Sequence, residues 1–483
     1  MHFEQAHDYR RAVRHLRQAA QNHFLRYANR EAIAYLSRAL QLVDQWPDAT
    51  GRAEVRIAVL EHEGLARRAM GDMAGSAEAF SALADYAREQ GHIEDEVKAL
   101  IDLATALSWI DRDLCLAAAE RFVVLSRGLA DQLLQAHALG SWSYWHVLFI
   151  GWGDEHSEAL AAAIAAARQD GDRAMLGLHL ARYCFFECLR SNYRAAHRAG
   201  EEASQLALVL IDAHSYLLSQ YYQAWALLHM GRWGEMRRIL DEGLEMAERN
   251  ESRRWEVLFR MEQAWLYMQA FDLEPARDIC GRALEQARRI QHPYTESLSM
   301  ILLGMVHLML EQNEEAFCWL NDVAARLERE RGLMDWILRM LMHNALSRYW
   351  LCRGELARAR REAELVCELA AGPGERTYVA LGHRVLAEIA MAGKDWDAAE
   401  AAVSRSLAVL EGADAPLAEW RVCMTAAQLY EQLGRSAEAA QNSRRSAEVL
   451  RRLAASLAET DPLRQSLLKA PAVQHIQGGA AAD

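Results

Sequence analysis

Short polar or glycine-bearing breaks punctuate this chain at Gly71, Asp111, Trp152-Gly153, Asn192, Gly231, Asp272, Asn313, Gly354, Gly393 and Gly434, 39 to 41 residues apart. No other feature limits the fold so much. Self-similarity at a fixed period of this order marks stacked repeats, each a unit that cannot bury its apolar side alone. Further breaks, such as Gln90-Gly91-His92, Asp170-Gly171-Asp172 and Gln291-His292-Pro293, split each interval into two helix-length blocks. Glycine at such places supplies a left-handed cap, and proline stops the helix before it. Pro47, Pro293 and Pro416 all stand between the proposed hairpins. The chain holds only 7 prolines in 483 residues, and alanine, leucine, arginine and glutamate dominate it. These residues lose little side-chain entropy in a helix, and the β-branched runs that strands favour are missing. The expectation is an all-α solenoid of about ten to eleven helical hairpins, repeating about every 40 residues.

Particular residues then carry a resemblance. REAIAYLSRALQLV (30–43) places Ala32 and Ala39 seven apart, and DYRRAVRHLRQAA (8–20) repeats the pattern with Ala12 and Ala19. LLGMVHLMLEQNEEA (302–316) carries Leu303-Gly304 followed by Ala316, and AAQLYEQLGRSAEAA (426–440) has Tyr430, Gly434 and Ala439 at matching offsets. Small residues at such positions let two helices approach closely. These segments resemble the tetratricopeptide (TPR) repeat, which implies a right-handed superhelix. The period departs from the usual TPR step of about 34 residues and lies nearer that of HEAT and armadillo arrays, so another α-solenoid remains open.

Gln223-Ala224-Trp225 returns forty residues later as Gln263-Ala264-Trp265. Extending that step gives a ladder of Trp145, Phe185, Trp225, Trp265 and Met305. Three residues further on, Leu148, Cys188, Leu228, Met268 and Leu308 are apolar again. The TPR resemblance implies that this stripe lines the concave groove, with Leu228 and Met268 beside the ladder, where a peptide or protein ligand would lie. A second reading stays open: the same residues are packing between adjacent first helices.

The formal net charge of −13 argues against a general nucleic-acid binder, which needs a basic face. The only lysines are Lys98, Lys394 and Lys469, a bias expected of a GC-rich genome and unsuited to the Lys-rich carboxylate grip of some TPR grooves. The 8 cysteines are scattered without a CxxC pair, as expected of reduced thiols. MHFEQAHDYRR lacks an apolar signal core, and no apolar run approaches the ~20 residues of a membrane helix, so a cytoplasmic protein off the membrane is expected. MAGKDW (391–396) lacks the leading glycine of a phosphate loop and puts Asp395 where Ser or Thr would hold magnesium. HLARYCFFEC (179–188) sets Cys184 and Cys188 on one helix face with His179 about 140° away, which favours buried thiols over a metal site. No catalytic residue, cofactor or metal ligand is expected. Glu314-Glu315 and Asp154-Glu155 suit helix N-termini, and SRRW (252–255) and RRSAEVLRR (444–452) suit solvated faces.

Both ends carry a weaker resemblance. Residues 2–43 look like the segment that joins an ATPase module to its TPR region in multidomain bacterial signalling proteins, among them ATPase regulators and cyclase- or kinase-linked proteins. LAASLAETDPLRQSLLKAPAVQHI (453–476) is similar to their C-terminus. The resemblance implies a sensor array, with an ATPase or cyclase module in cis and no catalysis of its own. Residues 2–9 look like the end of a hairpin whose first helix is absent. A self-standing scaffold and a small-molecule-binding or enzymatic solenoid are the alternatives. The expected organisation is N-terminal helices over 1–46, a repeat array over 47–455, a helical cap over 456–470 and a disordered tail over 471–483.

Overall fold

The computed structural model describes residues 8–26, 28–46 and 51–480. Among them the chain is all α, with no strand, and forms a right-handed superhelical solenoid. Antiparallel pairs follow one another: α1 (Tyr9–Phe24) with α2 (Asn29–Asp44), α3 (Arg52–Ala69) with α4 (Met73–Gln90), α5 (Ile93–Leu107) with α6 (Arg112–Ser126), and α7 (Gln132–Phe149) with α8 (Asp154–Asp170). The middle of the array pairs α9 (Arg173–Leu189) with α10 (Tyr193–Leu210), α11 (Ala213–His229) with α12 (Trp233–Arg249), α13 (Arg253–Gln269) with α14 (Leu273–Arg289), and α15 (Pro293–Met309) with α16 (Asn313–Arg329). Three more pairs complete it: α17 (Asp335–Cys352) with α18 (Leu356–Ala371), α19 (Arg376–Ala392) with α20 (Trp396–Leu410), and α21 (Pro416–Gln432) with α22 (Ser436–Ala455). The short helices α23 (Pro462–Lys469) and α24 (Pro471–Ala480) close the described chain.

The helix-start chemistry recurs with the repeat. Asp72, Asp131, Asp172, Asp212 and Asp395 each accept the backbone N–H three residues on, satisfying a donor that a helix cannot satisfy internally. Turns between helices pass through the left-handed region, at Gly71, Gly231 and Gly434 but also at Ile211 (φ 57°) and Phe271 (φ 60°). A bulky residue there costs roughly 1–2 kcal/mol. The backbone bonds Asp212 N–H to Ala207 O and Asp272 N–H to Tyr267 O, both 2.9 Å, hold these two turns closed. The forty-residue step follows from helix length. Helices α9 to α16 run 17 or 18 residues each. Compared with a repeat of about 34 residues, that adds a little under one turn per helix.

Close packing within and between pairs uses the small residues. A side chain on Gly243 of α12 would meet the ring of Phe259 of α13 at 2.5 Å, and one on Gly304 of α15 would meet Leu320 of α16 at 2.7 Å. The array then winds back onto itself. Asn29 donates from Nδ2 to Asn250 Oδ1 at 3.1 Å across 221 residues of sequence. Trp336 Nε1 donates to Val147 O at 2.8 Å across 189 residues, and the Ser191 and Thr377 hydroxyls stand 3.4 Å apart across 186. At forty residues per repeat, these separations place about five hairpins in each superhelical turn.

One expectation changes at the C-terminal end. The tail expected to be disordered forms α24, opened by Pro471, with Val473 and Ile476 buried in the main core. Proline at the first helical position and apolar residues three apart supply the start and the buried stripe. Residues 481–483 and 2–7 lie outside the described residues, so the proposed remnant of an earlier hairpin is reached only at Asp8 and Tyr9. Asp8 caps α1, which pairs with α2 as the first helix of a hairpin.

The close approach at Gly243 yields a prediction with a built-in control. Glycine inside a helix costs about 1 kcal/mol relative to alanine, so Gly281→Ala, with nothing within 4 Å of the added carbon, raises the urea midpoint. Gly243→Ala lowers the midpoint and costs about 1–3 kcal/mol of stability, because Phe259 is fully buried against the added carbon. Equal shifts in the two variants would remove close approach as the reason for glycine here.

Candidate functional site

The ladder residues lie on the first helices, facing the superhelix axis, but among the described residues no open groove runs past them. Trp145, Phe185, Trp225, Trp265, Met305, Leu228 and Met268 all retain 8% exposure or less. With about five hairpins per turn, first helices of successive turns meet across the axis and their side chains interdigitate. Between neighbouring repeats Phe185 packs 6.1 Å from Trp225 and stacks on Tyr222 at 4.8 Å, and His229 lies edge-on to Trp265 at 6.4 Å; across the axis His229 meets Tyr378 edge-on at 6.4 Å. The stripe read as a groove surface is interior packing in this conformation.

One helical turn before each ladder position stand Trp142, Arg182, Tyr222, Glu262 and Leu302, so three buried rungs are polar. Glu262 is enclosed in α13, and burial raises its carboxyl to about 8, so it is mostly protonated at neutral pH. Tyr222 shares a 2.7 Å hydroxyl–hydroxyl bond with Tyr144, and Tyr221 shares one of 3.1 Å with Tyr294. Arg182 is 1% exposed and lies over the rings of Tyr144 and Trp145 at 5.0 and 5.4 Å. Its Nη1 donates to Ser141 Oγ at 2.7 Å, and burial lowers its pKa to about 10, which leaves it charged. No sequence motif singled out Arg182. The signal was a lone arginine on the apolar face of α9, three residues before Phe185.

Arg182 lines a chamber on the axis together with Trp109, Trp145, His214, Tyr294 and Leu333. Water centres have about 20 Å³ there, room for one or two molecules. A wider vestibule of about 150 Å³ shares Trp109, Tyr294 and Leu333 with the chamber and is lined on its other side by charges of both signs, Asp111, Arg112, Glu330 and Arg331, and by His292. Trp109 stands 6.1 Å from Trp255 and 5.3 Å from His292, so residues of three hairpins frame the passage. The linker 330–334 between α16 and α17 edges the vestibule and is pinned where Met334 N–H donates to Leu148 O at 2.9 Å.

The histidine and cysteines of HLARYCFFEC are engaged separately. His179 Nε2 lies 2.9 Å from His137 Nδ1, and the Cys188 thiol points at Tyr222 O. Burial drives the imidazoles of His137, His179 and His214 well below their usual range, so all three are neutral at physiological pH.

A second polar cluster ties successive turns together. Glu375 caps α19 from a buried position and accepts from Tyr193 OH and Ser191 Oγ at 2.9 Å each, and from Tyr378 N–H. Burial raises its carboxyl from 4.5 to about 7, against the opposing pull of those hydrogen bonds. Between those two values the folded chain holds a proton that the unfolded chain releases. The stability from this group is therefore full below pH 4.5 and is lost as pH climbs to about 7.

Two outcomes follow. Trp225→Ala and Trp265→Ala each lower unfolding stability by about 3–5 kcal/mol in urea titrations, as buried aromatic deletions do. An unchanged midpoint would mean that these rings are not core. Wild type loses stability relative to Glu375→Gln by on the order of 3 kcal/mol between pH 4.5 and 7. Parallel pH profiles of the two proteins would show that folding does not raise the Glu375 carboxyl.

No family model matches the chain, and no curated protein matches it. A Rap protein complexed with Competence and Sporulation Factor superposes with a TM-score of 0.58 at 15% identity, covering 75% of this chain and 100% of that one. The Cut9–Hcn1 hetero-tetramer of the APC/C gives a TM-score of 0.48 at 11% identity over 97% of this chain and 96% of that one, too low to carry an argument. At such identity the Rap likeness speaks for the fold alone. It places the chain among TPR-like helical solenoids. Among the described residues, no helix is long and apolar enough to cross a membrane.

Proposed function

We propose that the chain is a protein-interaction and ligand-sensing module of TPR type, without catalytic activity of its own, serving a larger signalling ATPase. The observation that carries this reading is the closed interior. An aromatic stripe on the first helices is buried, partly against neighbouring repeats and partly against the next turn, and polar tethers such as Asn29–Asn250 and Ser191–Glu375 join turn to turn. Each tether is worth roughly 0.5–1.5 kcal/mol and is replaced by water when it breaks. The stripe is a different matter. A buried tryptophan covers 150–250 Å², roughly 4–6 kcal/mol at 25 cal/mol/Å², so the open state is scarcely populated alone. A peptide or protein segment that opens the array must replace those contacts, with Trp145, Phe185, Trp225, Trp265, Met305, Leu228 and Met268 as its anchors. The Rap fold relative was crystallised in complex with a factor, which supports a ligand-holding use of this architecture. The ATPase attachment is supported by the resemblance of residues 2–43 and 453–476 to such proteins.

A reversible lock tests the reading. The Ser191 and Thr377 hydroxyls are 3.4 Å apart, so Ser191→Cys with Thr377→Cys forms a disulfide that fastens two turns. The reduced array retains a partner from source-cell lysate, and the oxidised array does not. Equal capture in both states would put the partner on the outer face and sink the interior-opening reading. Failure of both would count against an interaction module.

A further inference from the structure

The axial chamber differs from the rest of the interior in holding charge without counter-charge. Among the described residues, no carboxylate lies within ion-pairing distance of Arg182, and Asp102 is taken by Arg68 at 2.6 Å. Arg182 Nε has no hydrogen-bond partner, and neither do Trp145 Nε1 and His214 Nδ1, although their side chains are 1%, 3% and 6% exposed. All three side chains line the same chamber. A second guanidinium, Arg254, stacks on the gate residue Trp109 at 5.4 Å with Nε and Nη1 unpartnered. Enclosing a cation with no anion, beside unsatisfied N–H groups, is costly, and natural interiors keep such arrangements where something else completes them.

We infer that the chamber takes the carboxylate group of an organic acid, with Arg182 as its counter-ion and Trp145 Nε1 as a further donor. The acid's apolar body then lies through the gate of Trp109, Tyr294 and Leu333 into the vestibule. Size chooses among anions. Room for one or two waters admits the two oxygens of a carboxylate, whereas the four of a phosphate or sulfate exceed it. The aromatic gate chooses an aromatic or aliphatic body over a sugar, and the wider vestibule accommodates its length. Guanidinium–carboxylate bonds are among the strongest neutral-pH contacts and gain further where water is excluded. The inference rests on reading the array as a ligand sensor and names the chemistry of one ligand. The shared chemistry has two sources, a free organic acid or the C-terminus of a peptide.

Calorimetric titration of the full chain with phenylacetate and with its neutral amide tests this directly. Phenylacetate binds saturably, the amide binds about tenfold or more weakly, and folded Arg182→Met loses the acid by a similar factor. Removing a buried charge in favour of an apolar side chain is compatible with folding. Leu333→Trp supplies a second variant, which narrows the gate with Arg182 in place and weakens acid binding. Gly-Gly-Phe, with its carboxylate free or amidated, distinguishes the sources. Binding of the free-acid peptide without phenylacetate assigns the chamber to a chain terminus, and the reverse assigns it to a small acid. The inference is overturned if neither acid binds at millimolar concentration, if acid and amide bind alike, or if folded Arg182→Met binds as wild type. Partner capture by the unlocked array is a separate readout, so either result can fail without the other.

Discussion

A pair of seventeen-residue helices exposes more apolar surface than one neighbouring pair can cover, and the structure follows from where the remainder goes. Lateral stacking buries the flanks of each hairpin, as in any solenoid. The inner face, carrying Phe185, Trp225 and Trp265, is left over. Winding about five hairpins per turn lets that face meet its own continuation, so the axis becomes a core. The main apolar cluster accordingly draws on residues from Leu60 to Ile476, with two smaller clusters beside it among the helices of residues 356–439.

That solution has an electrostatic corollary. A first-helix position that would be harmless on a wet concave surface becomes a buried site once the turns close. Glu262 responds by keeping its proton, and the imidazoles of His137, His179 and His214 by staying neutral. Arg182 has no such option, since its guanidinium stays charged even with a pKa near 10. It settles instead over Tyr144 and Trp145 with one hydrogen bond to Ser141. Polar residues buried on the first helices have thus reached different accommodations because their chemistries tolerate the same dryness differently.

The fold was largely legible in the sequence because its signals are local. The breaks at Gly71, Asp111, Gly231 and Gly434 fall between the two helices of a hairpin, and small residues such as Gly304 mark close approach. The winding was not legible, because it depends on contacts between residues about 190 to 220 apart, such as Trp336 with Val147, and nothing local encodes them. For the same reason the ladder was recognised as a set while its surroundings stayed open between groove and core. Arg182 was visible as a charge in an apolar stripe, yet its isolation became apparent only once its neighbours from other hairpins were in place. The helix at Pro471–Ala480 is not legible locally, because a ten-residue segment closing on Gln477-Gly478-Gly479-Ala480 has weak propensity, and tertiary packing of Val473 and Ile476 overrides it.

The turn-to-turn contacts also bear on how such a chain can change over generations. In a loosely wound solenoid each repeat touches only its neighbours, so a repeat can be duplicated or lost with a purely local penalty. Here Asn29 meets Asn250, Tyr193 meets Glu375 and Arg421 meets Gln269. Losing one repeat between two such partners would shift the later partner by one repeat against the preceding turn and part that pair, and every repeat from residue 29 to residue 421 lies inside at least one such pair. The number of repeats is thereby held by the whole array rather than by any one hairpin, and the chain is free to vary along its outer face but not in its length.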